Sequence, residues 1–270
     1  MASGLRQRVL TGLVLAALVV GLLLVFPPAA AIAVIHLVVL AGAWEWAGFA
    51  GLVAPAGRAA YVSAIGLACF FAWRASVDPL FLDQMLRGTA LWWLVGFLWV
   101  LLAPDRGSRF AAALAGFLVL VPAAVGFGRL VSLEPDGRLL MLFLLALIAA
   151  ADVGAYFGGR RFGRHKLAPR VSPGKTWEGF AAGMLAAAAV AAISAPLLGR
   201  PLLPWLALGV LVALLSVVGD LVESLFKRRA GLKDSSGLLP GHGGVMDRID
   251  SLAAAGPVFL LGLGSLGLPA

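Results

Sequence analysis

Long apolar stretches separated by short polar ones run the length of the chain. Nine can be marked, at 9–26, 29–50, 59–73, 89–103, 109–130, 139–157, 178–199, 203–222 and 251–267. A helix rising 1.5 Å per residue needs about 20 residues to cross about 30 Å of hydrocarbon. Most of the runs approach that length. The third and fourth hold 15 residues each, so they must tilt, extend into their flanks or re-enter. The pattern predicts an all-α, polytopic integral membrane protein of nine transmembrane helices, or eight if one short run fails to span. A barrel would instead alternate over strands of about ten residues. The first run has Arg6 and Arg8 before it and Ala29-Ala30-Ala31 after it, as a secretory leader would. Its 18 residues exceed the roughly 7–15 of a leader's apolar core, so it is expected to be retained.

No internal repeat, Gly/Ser linker or soluble domain breaks the pattern, so one integral membrane domain is expected over 1–270. Within it, 1–103 reads as N-terminal helices. The segment 104–270 carries the two longest polar stretches, 158–177 and 223–250. Composition agrees: 61% of residues are hydrophobic and 13% charged, against roughly 25% charged in a soluble domain. Disorder and a disulfide scaffold are excluded, the latter because Cys69 is the only cysteine. Arginine outnumbers lysine 17 to 4, and alanine is abundant, as expected of a GC-rich bacterial genome.

Charge adds the orientation. Basic loops favour the cytoplasmic side. With the N-terminus inside, 16 of the 21 Lys and Arg residues fall on the cytoplasmic side and five outside. A multi-pass protein of the inner (plasma) membrane with a cytoplasmic N-terminus is therefore expected. The formal charge of +8 is concentrated in two loops, with six basic residues in 160–175 and five in 227–248. Two or three per loop would set topology, so the excess leaves room for an anionic ligand beside the anionic membrane lipid. With no basic tail or helical face, no nucleic-acid partner is expected.

Several acids stand near or inside the apolar runs. A carboxylate at membrane depth is costly unless it is paired, metal-bound or facing a wet cavity. Asp152 lies within its run and Asp220 closes another. Asp220, Glu223, Ser224 and Lys227 are spaced i, i+3, i+4, i+7, which forms one polar helical stripe leading out of the membrane. Asp247, Asp250 and Ser251 form a second, shorter stripe, and acids there also suit the dipole of the last helix. Between the stripes, glycines at 231, 237, 241, 243 and 244 with Pro240 make a loop whose N–H groups can approach phosphate oxygens. Lys227, Arg228, Lys233 and Arg248 could neutralise a polyphosphate. Asp220 and Asp247 flank that loop as the carboxylates that Mg²⁺ requires, phosphates and water completing its shell. In the earlier loop, Gly174-Lys175-Thr176 invites a phosphate-loop reading. Pro169 stands where its first glycine belongs and no strand is expected before it, so that reading fails. Ser172 or Thr176 before Glu178 reads as a helix cap. Lys175 does not, because a cation at a helix N-terminus opposes the dipole unless an anion is bound.

The 27 residues SLFKRRAGLKDSSGLLPGHGGVMDRID, 224–250, resemble throughout the signature of phosphatidate cytidylyltransferases (CDP-diacylglycerol synthases). Ser224, Lys227-Arg228, Lys233-Asp234, His242-Gly243-Gly244, Asp247-Arg248 and Asp250 stand at its spacings. ADVGAYFGGRRFG at 151–163, SPGKTWEG at 172–179 and an early Trp44-Glu45-Trp46 also resemble that family's segments. The resemblance implies the reaction CTP + phosphatidate → CDP-diacylglycerol + pyrophosphate, with Mg²⁺ and room for a second cation. It implies metal ligation by Asp220 and Asp247, with Glu223 or Asp250 assisting, and catalytic roles for Lys233 and Arg248 beside those two acids. Lys227, Arg228, His242, Gly243, Gly244, Asp250, Asp152, Tyr156, Ser172, Lys175 and Thr176 would bind substrate. A homodimer is among the expectations. Two other readings fit parts of the sequence. One is a CTP-dependent membrane lipid kinase. The other is a cation-coupled transporter using Asp152 and Asp220, which should show paired repeats that are not seen here.

Overall fold

A computed structural model describes residues 2–238 and 243–267, with side chains from Val14 onward. The helices are α1 (Ala2–Val25), α2 (Pro28–Phe49), α3 (Pro55–Ala75), α4 (Pro79–Leu102), α5 (Arg109–Ser132) and α6 (Gly137–Phe162). A short hairpin follows, β1 (Lys166–Ala168) and β2 (Ser172–Thr176), then α7 (Trp177–Leu197), α8 (Leu202–Arg229) and α9 (Met246–Ser265). Among the described residues, seven helices, α2 to α8, are long and apolar enough to cross a membrane.

The two short apolar runs become full-length helices. α3 has 21 residues and α4 has 24, because each starts upstream of its apolar run, at a proline in the first turn. Proline there has a preset φ and gives up an N–H that would lack a partner anyway. Asp78 accepts from Leu80 N at 2.9 Å and caps α4; Ser108 accepts from Ala111 N at 3.1 Å and caps α5. The loop before α7 departs from the all-loop expectation. β1 and β2 pair antiparallel, with Lys166 opposite Thr176 and Ala168 opposite Ser172.

α9 is the central helix and packs against α2, α4, α5 and α8. It can do so because its middle is Ala253-Ala254-Ala255-Gly256, all buried. Small residues let backbones approach closely in lipid, where no hydrophobic drive brings helices together. The α6–α7 contact uses the same device. Gly154 and Gly158 of α6 face Ala182 and Ala186, and Gly179 and Gly183 of α7 face Ala155 and Ala151. Large side chains such as Leu67, Phe70, Phe71, Leu185 and Ile193 point outward, where acyl chains would cover them.

Cross-contacts sort the connections into two ends. At one end Arg229 donates to the carbonyls of Arg106 and Gly107, Arg170 pairs with Asp105, and Glu45 holds Ser235 and Val245. At the other, Arg200 pairs with Asp136 at 2.8 Å, Arg129 donates to Ser76, and Arg138 reaches the Leu23 carbonyl. Both polar stretches thus lie at one end of the bundle.

Candidate active site

The sequence builds the site where α8 leaves the bundle. α8 is the longest helix among the described residues, 28 residues, so its last three turns carry Asp220, Glu223, Ser224 and Lys227 to the polar end of the bundle. The hairpin folds back against it. Thr176 ends β2 and caps α7 by accepting from Gly179 N at 3.1 Å. Glu178 accepts from Arg164 N at 3.0 Å and from His165 Nδ1 at 2.6 Å, which fixes the hairpin's base. With its ends set, the hairpin brings Lys175 Nζ to 2.6 Å from Asp220 Oδ2. Ser172 opens β2 and caps no helix.

A cavity of about 430 Å³ lies between α6, α7, α8 and the hairpin. Asp152, Tyr156, Lys175, Thr176 and Asp220, five of the expected site residues, line it together. Its wall continues into Val217, Phe180 and Met184, so the lining joins charged and apolar side chains. Tyr156 Oη accepts from Arg160 at 3.2 Å on the same wall.

The signature loop forms a second cluster behind Asp220. Lys227 makes ion contact with Glu223 and sits 2.7 Å from Asp247 Oδ1. Asp247 Oδ2 accepts from Ser235 N at 3.0 Å, Ser235 Oγ at 2.9 Å and Gly244 N at 2.8 Å. Gly243 has φ +77°, a left-handed conformation favouring glycine. At Gly244 a Cβ would stand 2.5 Å from Glu45 Oε2, so a larger residue would have to displace that carboxylate. Asp250 is buried and accepts from Ser251 N at 2.6 Å. Glu223 is also buried, and its oxygens accept no well-aligned hydrogen bond.

Other expected residues lie apart from the cavity. Arg228 is exposed and lines a separate cleft of about 360 Å³ with Arg170, Arg229 and Asp105. Lys233 and Arg248 are exposed and line neither space, although Arg248 is close enough to act on the charge of Asp152. His242 lies outside the described residues. Glu45 of α2 was missed by the reading of site residues. Only 2% exposed, it accepts from Ser235, Ser236, Val245 and Met246. It stands within an apolar run, so the rule that selected Asp152 applies to it equally.

The acids around Asp220 form the donor set that a divalent cation would meet. Asp220 lies within electrostatic reach of Asp152, Glu223 and Asp250. Lys175 and Lys227 are the cations paired with acids of this group, so carboxyl groups outnumber the cations paired with them. Among the described residues no three His, Cys, Asp or Glu converge to hold an ion by themselves. That fits Mg²⁺, which takes one or two carboxylates and completes its shell with phosphate and water, and it does not fit a closed zinc site.

A model of the cytidylyltransferase family matches residues 6–266. The chain belongs to the cytidylyltransferase family. It is 41% identical over 271 residues to the phosphatidate cytidylyltransferase of Pseudomonas aeruginosa, covering 94% of this chain and 95% of that protein. To the enzyme of the same name from Haemophilus influenzae it is 39% identical over 280 residues, covering 94% and 97%. To that of Brucella suis it is 40% identical over 227 residues, covering 73% and 81%. Because the first two align along 94% of the chain, the match takes in the helices before Asp152 as well as the signature loop.

Proposed function

We infer that the chain is a phosphatidate cytidylyltransferase, joining CTP and phosphatidate to give CDP-diacylglycerol and pyrophosphate. The structural observation that carries this is the single cavity running from apolar Val217 and Met184 to charged Asp220 and Lys175. It suits a substrate with acyl chains in the bilayer and a phosphate at its edge. The relatives of that name support the same reading.

The chemistry asks little of a base. A phosphate monoester has a second pKa near 6 and is largely deprotonated at neutral pH. One of its oxygens attacks the α-phosphorus of CTP, the bond from that phosphorus to the bridging oxygen breaks, and pyrophosphate leaves with the electron pair. Positioning and charge neutralisation carry such a displacement. Lys175 and Lys227, each held on a carboxylate in the free protein, are placed to turn to phosphate oxygens once substrates arrive. Lys233, Arg228 and Arg248 are exposed at the same end and would draw in the triphosphate. Asp220 and Asp247 would hold Mg²⁺, with Glu223 or Asp250 beside a second cation. Asp247 would first have to release donors that now fill both its oxygens. When bound, the cation neutralises phosphate charge and stabilises the leaving pyrophosphate.

Bacterial relatives and the apolar helices support a multi-pass membrane protein. We place it in the inner membrane with the polar end facing the cytosol, where CTP is found. A homodimer belongs to the same proposal and is read from the mass of the purified protein in detergent. The deciding experiment supplies phosphatidate micelles with CTP labelled at either the α- or the γ-phosphate. Label from the α-position in the lipid product is the expected result. Transfer from the γ-position would make the protein a lipid kinase instead.

A further inference from the structure

We propose that Glu45 is a positioning residue that clamps Ser235–Ser236 and Val245–Met246 of the signature segment to α2 and so sets Asp247, with its donors Ser235 and Gly244, for CTP. The proposal rests on the cytidylyltransferase reading.

Glu45 is 2% exposed, yet none of its hydrogen-bond partners is a cation. It accepts from Ser235 Oγ at 2.9 Å and Ser236 Oγ at 2.5 Å, where the loop begins. It also accepts from Val245 N at 3.0 Å and Met246 N at 2.7 Å, where the loop ends and α9 starts. All four donors belong to the loop and the first turn of α9, some 190 to 201 residues from Glu45 in sequence.

The first turn of a helix has N–H groups without intrahelical partners and a positive dipole end, both of which a carboxylate satisfies. α9 has no side-chain cap of its own, since Val245 stands at that position. Glu45 therefore supplies the cap from another helix. Its own place is fixed by the neighbouring Trp46, whose Nε1 donates to the Ala112 carbonyl at 2.7 Å and whose ring packs on Phe226. Asp247 bridges the same two loop ends through Ser235 and Gly244. Ser235 Oγ lies between the carboxylates, 2.9 Å from each, so its one proton bonds to one of them at a time. A displacement of Glu45 thus moves the donors that hold Asp247. Helix packing alone would not require this arrangement. A buried carboxylate is a costly way to join two helices when an apolar residue of the same volume would do it.

The test uses the full-length enzyme in detergent, with CTP and phosphatidate varied separately. Glu45→Gln keeps the volume but turns an amide NH₂ toward donors. Its kcat/KM for CTP is expected to fall roughly tenfold, the loss of one hydrogen bond to a charged group. The KM for phosphatidate and the gel-filtration profile should stay as in the wild type. Deuterium exchange at Val245 and Met246 should speed up. Ser236→Ala removes a single donor and should shift the same quantities in the same direction by less, and it decides the matter if Glu45→Gln does not fold. Wild-type CTP kinetics in both variants, or an equal fall in kcat/KM for both substrates together with a lowered melting temperature, would overturn the role. A wild-type protein that forms no CDP-diacylglycerol counts against the functional reading instead. Exchange at Val245 and Met246 would then still decide whether Glu45 holds the loop.

Discussion

Asp220 and Gly244 show how single positions carry opposite kinds of demand. Asp220 is needed for what its carboxylate can hold, and the ion pair with Lys175 keeps its charge compensated while the cavity is free of substrate. Asp220→Asn retains the shape and removes the charge. Turnover should fall at least about a hundredfold, the scale of losing one preorganised electrostatic group at a transition state, with gel filtration showing a folded protein. Wild-type rates would remove Asp220 from the metal proposal. Gly244 is needed for what it lacks. A methyl group there would press on Glu45 and Ser235, so Gly244→Ala should lower kcat/KM for CTP by about tenfold or more, given that overpacking costs roughly 1–3 kcal/mol. Asp152 and Asp220 were legible in sequence because charge in or at the end of an apolar run is conspicuous, and Asp247 because it flanks the glycine-rich basic loop. Glu45 was just as conspicuous, but its partners lie on distant segments and no spacing in sequence connects them.

At the scale of elements, apolar runs located each helix but not its ends. The short runs at 59–73 and 89–103 became α3 and α4 because residues beside them, from Pro55 and Pro79, continue the helix, small and polar ones before α3's run and a mixture broken by Asp83, Gln84 and Arg87 before α4's. Hydropathy is silent about such flanks, whereas a first-turn proline marks where they begin. The hairpin of β1 and β2 was not foreseen. Its strands of three and five residues are too short for a period-two signal, and it is held from outside by Glu178. The α6–α7 seam was unread as well, although its Gly-x-x-x-Gly spacings stand in the sequence at 154–158 and 179–183. That seam forms one wall of the cavity, so its closeness has a functional consequence. In Gly183→Val the first added carbon would lie 2.7 Å from the Ala151 carbonyl oxygen. The two helices would have to part, at an expected cost of about 1–3 kcal/mol. A lowered melting temperature with weakened phosphatidate saturation, and CTP saturation less affected, is the expected pattern. An unchanged melting temperature would mean that the seam yields freely.

For the whole molecule, charge counting and geometry give independent views of sidedness. The count placed 16 basic residues on one side of the membrane and five on the other. The contacts sort the connections the same way: Arg58, Arg106, Arg170 and Arg229 fall at the end with the signature loop, and Arg129, Arg138 and Arg200 at the opposite end. Agreement between a rule about insertion and a pattern of packing leaves one choice, which end meets the cytosol, and cysteine labelling answers it. Cys69 is buried in α3, so a Cys69→Ala background removes the native thiol at small structural cost. Val53→Cys and Val77→Cys then place reporters at the two ends of the same helix, where the valines are 82% and 72% exposed. An impermeant maleimide applied to intact spheroplasts should modify the residue introduced at 77 and spare the one at 53. Disrupting the membrane should make both reactive. The reverse pattern would place the signature loop and the charged side of the cavity toward the outer face, away from CTP, and would overturn the proposed orientation and the function that depends on it.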